Sequence, residues 1–260
     1  MGQTVNPENK WALILGGSSG LGLATAIKLA SEGFNICIVH RDRRSNIPDF
    51  EKEVESMRRK NILVKTYNLD ILKPENKDEV LKNLAENSVK VLVHSIAKGS
   101  LKLLNSINGN SLQKSDFDIT MHAMAFSWYE WTKALIDNSK FLDDARNIAF
   151  TSEGNYKVWP SYGAVSAAKS SLESLMRQMA IELAPLNIKT NCIQAGTTKT
   201  ASFEMIPNSE DLEKAALERN PYKRLTKPEE VANVVYLLSR TEASWINGTI
   251  IKVDGGESLR

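Results

Sequence analysis

The stretch Trp11-Ala12-Leu13-Ile14-Leu15-Gly16-Gly17-Ser18-Ser19-Gly20-Leu21-Gly22 decides the fold. Trp11–Leu15 is a short apolar run that ends on glycines and reads as a buried strand. Leu21–Glu32 reads as a helix, with Leu21, Ala24, Ile27, Lys28 and Ala30 on one stripe and Gly33 as its stop. Between the two, Gly16 allows a sharp turn, Gly20 removes side chains where backbone meets phosphate, and Gly22 lets the helix pack close to the sheet. Ser18, Ser19 and Leu21 complete the loop. The free N–H groups and positive dipole end of the helix suit a diphosphate. A glycine cluster alone is a weak signal, but its place between a strand and a helix makes it a strong one.

The same alternation continues outward. Strands are expected at Asn35–His40, Ile62–Asn68, Lys90–His94, Arg146–Ser152, Lys189–Gln194 and Thr249–Val253. Helices are expected at Phe50–Lys60, Lys77–Asn87, Ser115–Asn138, Tyr162–Ala184 and Lys227–Leu238. Strand then helix, repeated, means parallel strands joined by right-handed crossovers. The expected fold is α/β: a single Rossmann-type domain over residues 1–260, a doubly wound parallel sheet of about seven strands with helices on both faces. The least regular stretch, 195–221, follows the sixth strand. It is therefore placed to cover a ligand beyond the carboxyl ends of the strands.

Composition excludes several classes. Of 260 residues, 33 are Lys or Arg and 31 are Asp or Glu, so the formal net charge of +2 offers no general attraction to nucleic acid. No apolar run approaches a membrane span, and residues 1–10 are too polar for a signal peptide. Cys37 and Cys192 stand far apart in apolar runs, with neither metal-ligand nor disulfide spacing. The expected location is the cytoplasm, with two buried thiols, no metal, no nucleic-acid partner and no membrane.

The chemistry-bearing residues follow the strands. The second strand ends His40-Arg41-Asp42-Arg43-Arg44. Basic residues there favour a ribose 2′-phosphate and hence NADPH, with Arg41 the best candidate and Arg43 or Arg44 assisting; a solvated charged loop is the alternative. After the fifth strand comes Tyr162-Gly163-Ala164-Val165-Ser166-Ala167-Ala168-Lys169. Seven residues are almost two helical turns, so both side chains can share one helix face.

The glycine spacing and the ordered motifs resemble the short-chain dehydrogenase/reductase family over about residues 8–260. Ketone-reducing members use Tyr-x-x-x-Lys, but Val165 stands four residues before Lys169. The Tyr-x-x-x-x-x-x-Lys spacing resembles the divergent branch, the enoyl-[acyl-carrier-protein] reductases of bacterial type II fatty-acid synthesis. His94-Ser95-Ile96-Ala97 and Ala195-Gly196-Thr197-Thr198-Lys199-Thr200 are similar to that branch too.

The resemblance implies NADPH-dependent reduction of the trans-2 double bond of an enoyl thioester. Hydride goes to the β-carbon, and the Tyr162 phenol stabilises the enolate. Moving the tyrosine three positions along a helix shifts its anchor by roughly 4.5 Å, toward the thioester oxygen two carbons away. Lys169 would hold the nicotinamide ribose. Asp70 and Ile71 would meet the adenine. Ser95, Ile96, Ala97, Gly196, Thr198 and Thr200 would line the cofactor, with His40 at the adenosine end. Ser152, where ketone reducers place a catalytic serine, or Tyr156 would assist Tyr162. Phe203, Met205 and Ile206 of a cover at about 197–221 would enclose the substrate with Ala97, Tyr156 and Tyr162. Lys98, Lys102, Lys199 and Arg224 are candidates for a basic rim facing an acidic acyl carrier protein; coenzyme A is the other carrier. Met124 stands where ketone reducers place an active-site asparagine. The family's homotetramers imply that the two long helices, with Trp128 and Trp131 on the first, pack between subunits. Two alternatives remain: a β-ketoacyl or other carbonyl reductase, and a non-catalytic NADP(H)-binding regulator.

Overall fold

The computed structural model describes residues 10–107 and 109–260. The signal-peptide reading of residues 1–10 therefore falls almost wholly outside the described residues. Seven strands form one parallel sheet in the order β3-β2-β1-β4-β5-β6-β7. They are β1 (Trp11–Leu15), β2 (Asn35–His40), β3 (Val64–Asn68), β4 (Val89–His94), β5 (Phe141–Thr151), β6 (Lys189–Ala195) and β7 (Ile250–Val253). The order reverses between β1 and β4, and a crevice opens there at the carboxyl ends of the strands.

The central strands are mostly apolar on both sides because both faces are covered, whereas the edge strands β3 and β7 are partly exposed. Ala12, Ile14, Ile36, Ile38, Val91 and Val93 point to one face. There they meet α1 (Gly20–Ser31), α2 (Ile47–Arg58) and α9 (Pro228–Ser239) through Ala26, Leu29, Val54, Val231 and Val235. Leu13, Leu15, Cys37, Val39 and Leu92 point to the other. They meet α3 (Pro74–Lys82), α5 (Ser127–Asp137) and α6 (Gly163–Glu182) through Val80, Leu81, Trp128, Trp131, Leu172 and Met176. The period of two inside each strand thus divides one sheet between two cores.

Several element bounds differ from the expectation. The segment 115–138 is not one helix. α4 (Lys114–Met121) and α5 are separated by a π-helical turn at His122–Phe126, which carries Met124. α3 starts at Pro74, three residues early, because proline suits a first turn, and it ends at Lys82. β5 begins at Phe141, five residues early, with its pairing to β4 shifted between Val89 and Val91. Asp144 in this stretch adopts φ +57°. Its carboxylate takes Lys90, Arg146 and Lys189 together, and these three hold it well below the usual carboxylate range against the opposing effect of burial. The segment expected to be irregular contains α7 (Ala201–Glu204) and α8 (Ser209–Arg219).

Trp128 and Trp131 are fully buried within their own chain. Their indole N–H groups donate to Asn147 Oδ1 at 2.5 Å and to the Ile71 carbonyl at 3.0 Å. They are core residues; among the described residues the exposed large apolar side chains between the start of α4 and the end of α5 are Ile119, Phe126 and Tyr129. Among the described residues, no helix is long and apolar enough to cross a membrane.

Candidate active site

A cavity of about 830 Å³ lies along the carboxyl ends of the strands. At one end it is floored by the glycine loop. A Cβ at Gly16 would lie 2.5 Å from the Ser95 carbonyl oxygen, and Gly16 has φ +85°, so this position admits no side chain. A Cβ at Gly22 would lie 2.1 Å from the Gly16 carbonyl oxygen, which is why α1 can start directly beneath the loop. Gly22 does not itself line the cavity; its part is this close approach. The N-cap residue Ser19 makes no side-chain capping bond to α1, and no acidic residue stands in the first turn of this helix. Its N–H groups are left for a ligand's negative charge. This cradle fits the diphosphate of a dinucleotide.

Gly16, Ser18, Ser19, Gly20, Leu21, His40, Arg41, Asp70, Ile71, Ser95, Ile96, Ala97, Gly196, Thr198 and Thr200 all line the cavity. Arg41 donates to Asp70 Oδ2 at 2.7 Å, a pairing between the ends of β2 and β3 that the sequence did not announce. Burial pushes the Asp70 carboxyl up, but the Leu72 N–H and the Arg41 guanidinium outweigh it and hold it below its usual range. Most of the Arg41 side chain is exposed, so the guanidinium can also turn to an anion in the cavity. Arg43 and Arg44 are not among the cavity residues. His40 bonds to Asp42 at 2.8 Å and packs on Phe50, and burial keeps its pKa low.

Further along, Ser152, Tyr162 and Lys169 share one wall. Tyr162 is not inside the helix but caps it at φ −98°, and α6 begins at Gly163. Burial raises its phenol pKa, partly offset by the Ser152 hydroxyl. The Ser152 Oγ is buried against that phenol, and among the described residues no other group bonds to it. Lys169 is buried and donates to the Phe150 carbonyl at 2.6 Å. Burial pulls its amine down to about 8, against the opposing pull of Cys192 and Glu173. Val165 and Met124 pack beside Tyr162 in a small apolar cluster that also lines the cavity, so the position of the ketone reducers' tyrosine presents hydrocarbon there. His94 is a packed residue. It bonds to Ser127 at 2.8 Å, and burial followed by the Lys169 charge drives its pKa down to about 3.

The structure corrects two assignments. Tyr156 does not line the cavity; it is exposed, and its phenol accepts from the Gln194 amide at 3.3 Å. Met205 is 73% exposed and outside the cavity, whereas Phe203 and Ile206 line it. Met205 follows the last residue of α7, and there its side chain turns to solvent. Of the rim candidates only Lys98 lines the cavity. Lys102, Lys199 and Arg224 are paired with Asp116, Glu213 and Glu230 of their own chain. Sequence reading missed Trp159, Lys157 and Arg219, which do line it. Nothing in their spacing marks them, because loops around residues 157 and 219 meet only in the folded chain.

A family model described as enoyl-(acyl carrier protein) reductase matches residues 16–258. The chain is 27% identical to pig (Sus scrofa) dehydrogenase/reductase SDR family member 4, over 97% of this chain and 88% of that protein. It is 30% identical to the 7alpha-hydroxysteroid dehydrogenase of Paraclostridium sordellii, over 97% of this chain and 93% of that protein. Among solved structures, the enoyl-[acyl-carrier-protein] reductase (NADH) of Aquifex aeolicus VF5 superposes with a TM-score of 0.81. It covers 97% of this chain and 98% of its own at 23% identity, a likeness of fold. Taken with the glycine cradle and the Tyr162–Lys169 wall, these matches make the chain a member of the short-chain dehydrogenase/reductase family, an oxidoreductase of the nicotinamide-binding, enoyl-(acyl carrier protein) reductase-like group.

Proposed function

We propose that this protein reduces the trans-2 double bond of an enoyl thioester with NADPH. The observation that carries the reading is the wall itself. The phenol on this wall with Lys169 belongs to Tyr162, while position 165, on the same cavity, presents only a valine. When bound, a nicotinamide cofactor supplies the hydride. The chain's own groups handle the charge that appears. Tyr162 donates a hydrogen bond to the enolate oxygen. Lys169, in its charged form, adds positive potential within the buried wall and offers N–H donors to ribose hydroxyls. Ile96, Leu101, Phe203, Ile206 and Leu212 give the cavity apolar sides suited to an acyl chain. The carrier is acyl carrier protein or coenzyme A. The assembly we propose is a homotetramer using the faces of α4, α5 and α6, acting in the cytoplasm.

A second reading, reduction of a carbonyl in the same cavity, is favoured by one observation: the buried Ser152 hydroxyl beside the Tyr162 phenol. The deciding assay follows NADPH oxidation with a trans-2-enoyl thioester beside the matched β-ketoacyl thioester. Turnover of the enoyl substrate alone supports the first reading, and turnover of the ketoacyl substrate alone replaces it with the second. Silence with both substrates, alongside tight NADPH binding, leaves a regulator.

Cofactor preference rests on Arg41. Arg41→Ala is expected to raise the Kd for NADPH about tenfold, the order of one charge-assisted hydrogen bond, and to leave NADH nearly unchanged. Equal losses for both cofactors would remove Arg41 as the 2′-phosphate ligand.

A further inference from the structure

The segment 197–221 is tied down at both roots. The Thr197 hydroxyl donates to Glu257 at 2.7 Å, and Arg219 pairs with Glu153 at 2.5 Å and with Glu257 at 3.2 Å. Its tip is held differently. Among the described residues, one hydrogen bond joins residues 201–212 to the protein outside the segment. The Trp159 indole Nε1–H donates to the Pro207 carbonyl at 3.2 Å. Trp159, Phe203 and Ile206 line the same cavity.

Trp159 also begins the turn that presents Tyr162. The Tyr162 N–H donates to the Trp159 carbonyl at 3.2 Å across Pro160 and Ser161. Ser161 sits at φ +67°, a conformation that turns of this kind usually assign to glycine or asparagine. An L-residue holds it only where its neighbours enforce it. The Tyr162 ring is confined as well: a Cβ on Gly154 would lie 2.5 Å from its Cε1. Glu153, next to that glycine, is itself clamped by Arg219 of the cover's root.

We propose that Trp159 is a positioning and specificity-determining residue. Its indole pins the tip of the cover over the cavity, while its carbonyl sets the turn that places the Tyr162 phenol. Seating the cover and placing the phenol are thereby one event. Substrates whose acyl tail reaches Phe203 and Ile206 benefit from the latch, and short ones do not. This rests on the reading of Tyr162 and of an enoyl thioester given above, and the first arm of the test does not depend on it.

The test compares wild type with Trp159→Phe, which keeps a ring and loses the N–H. In the first arm, amide hydrogen exchange is followed with NADPH present. Exchange in residues 201–212 and at the Tyr162 amide is expected to quicken about fivefold, the order of one net hydrogen bond, with residues 163–182 unchanged. No change at the tip, or change at the tip without change at Tyr162, overturns the coupling. Faster exchange throughout 163–182 overturns it too, because it reports general loosening. In the second arm, KM for an eight-carbon enoyl thioester is expected to rise about fivefold while that for the four-carbon one stays constant. An equal rise for both overturns the specificity role. Absence of turnover in wild type is a failure of the substrate reading, and the exchange arm still decides the latch.

Discussion

Tyr162→Phe is expected to lower kcat for the enoyl thioester by about 10²- to 10³-fold, the loss seen when one preorganised donor to a developing oxyanion is removed. The affinity for NADPH should stay within about twofold, because the residues cradling the diphosphate and adenosine are untouched. The ring of phenylalanine fills the same space against Gly154, so the cavity wall keeps its shape and the fold is not the variable. The donor itself is lost, and it cannot be replaced from position 165, where a valine lies among Met124, Ala123 and Ala168. The Ser152 hydroxyl remains, and it is the group that would carry residual activity. Steady-state kinetics with a fluorescence titration of NADPH check both halves. Wild-type kcat in the variant would remove Tyr162 from the mechanism.

Lys169→Ala should weaken both functions at once. The Kd for NADPH is expected to rise roughly 10- to 100-fold and kcat to fall, since a charged donor to the ribose disappears with the local positive potential. The Phe150 carbonyl also loses its 2.6 Å donor, so the melting temperature should drop and must be measured beside the binding. The wild-type pH profile offers a gentler test. Burial lowers the amine to about 8, so kcat/KM is expected to decline about tenfold per pH unit above that value as the charge is lost. The sign for stability is opposite. Between about 8 and the ordinary lysine value, the unfolded chain binds a proton that the folded chain does not. Stability from this group therefore rises with pH through that window while activity falls. A profile flat to pH 10 would mean that Lys169 stays charged or is not needed.

Much of the fold was legible because its signals are local. β1 and β2 lie where the apolar runs placed them, and the glycine loop lies between β1 and α1. Sixteen of the expected cofactor residues line the cavity; all but Lys169 follow strand ends, and in a parallel sheet strand ends share one edge. Local signals also mislead in identifiable ways. A helical period runs through residues 115–138, and it carries no mark of the π-helical turn at His122–Phe126. Trp128 and Trp131 look like interface aromatics until the sheet behind them is seen to bury both completely.

The loop 152–162 shows the boundary most clearly. That a tyrosine precedes Lys169 by seven positions and that valine occupies the nearer place are spacings along one chain and need no fold to be read. Which aromatic of that loop faces the cavity is set by the folded chain. Tyr156 turns to Gln194 and solvent, whereas Trp159 enters the cavity and meets Pro207, forty-eight residues away. Periodicity specifies a face only where the backbone repeats. In a turn with Ser161 at φ +67° it does not repeat, and the side-chain directions are set by long-range packing.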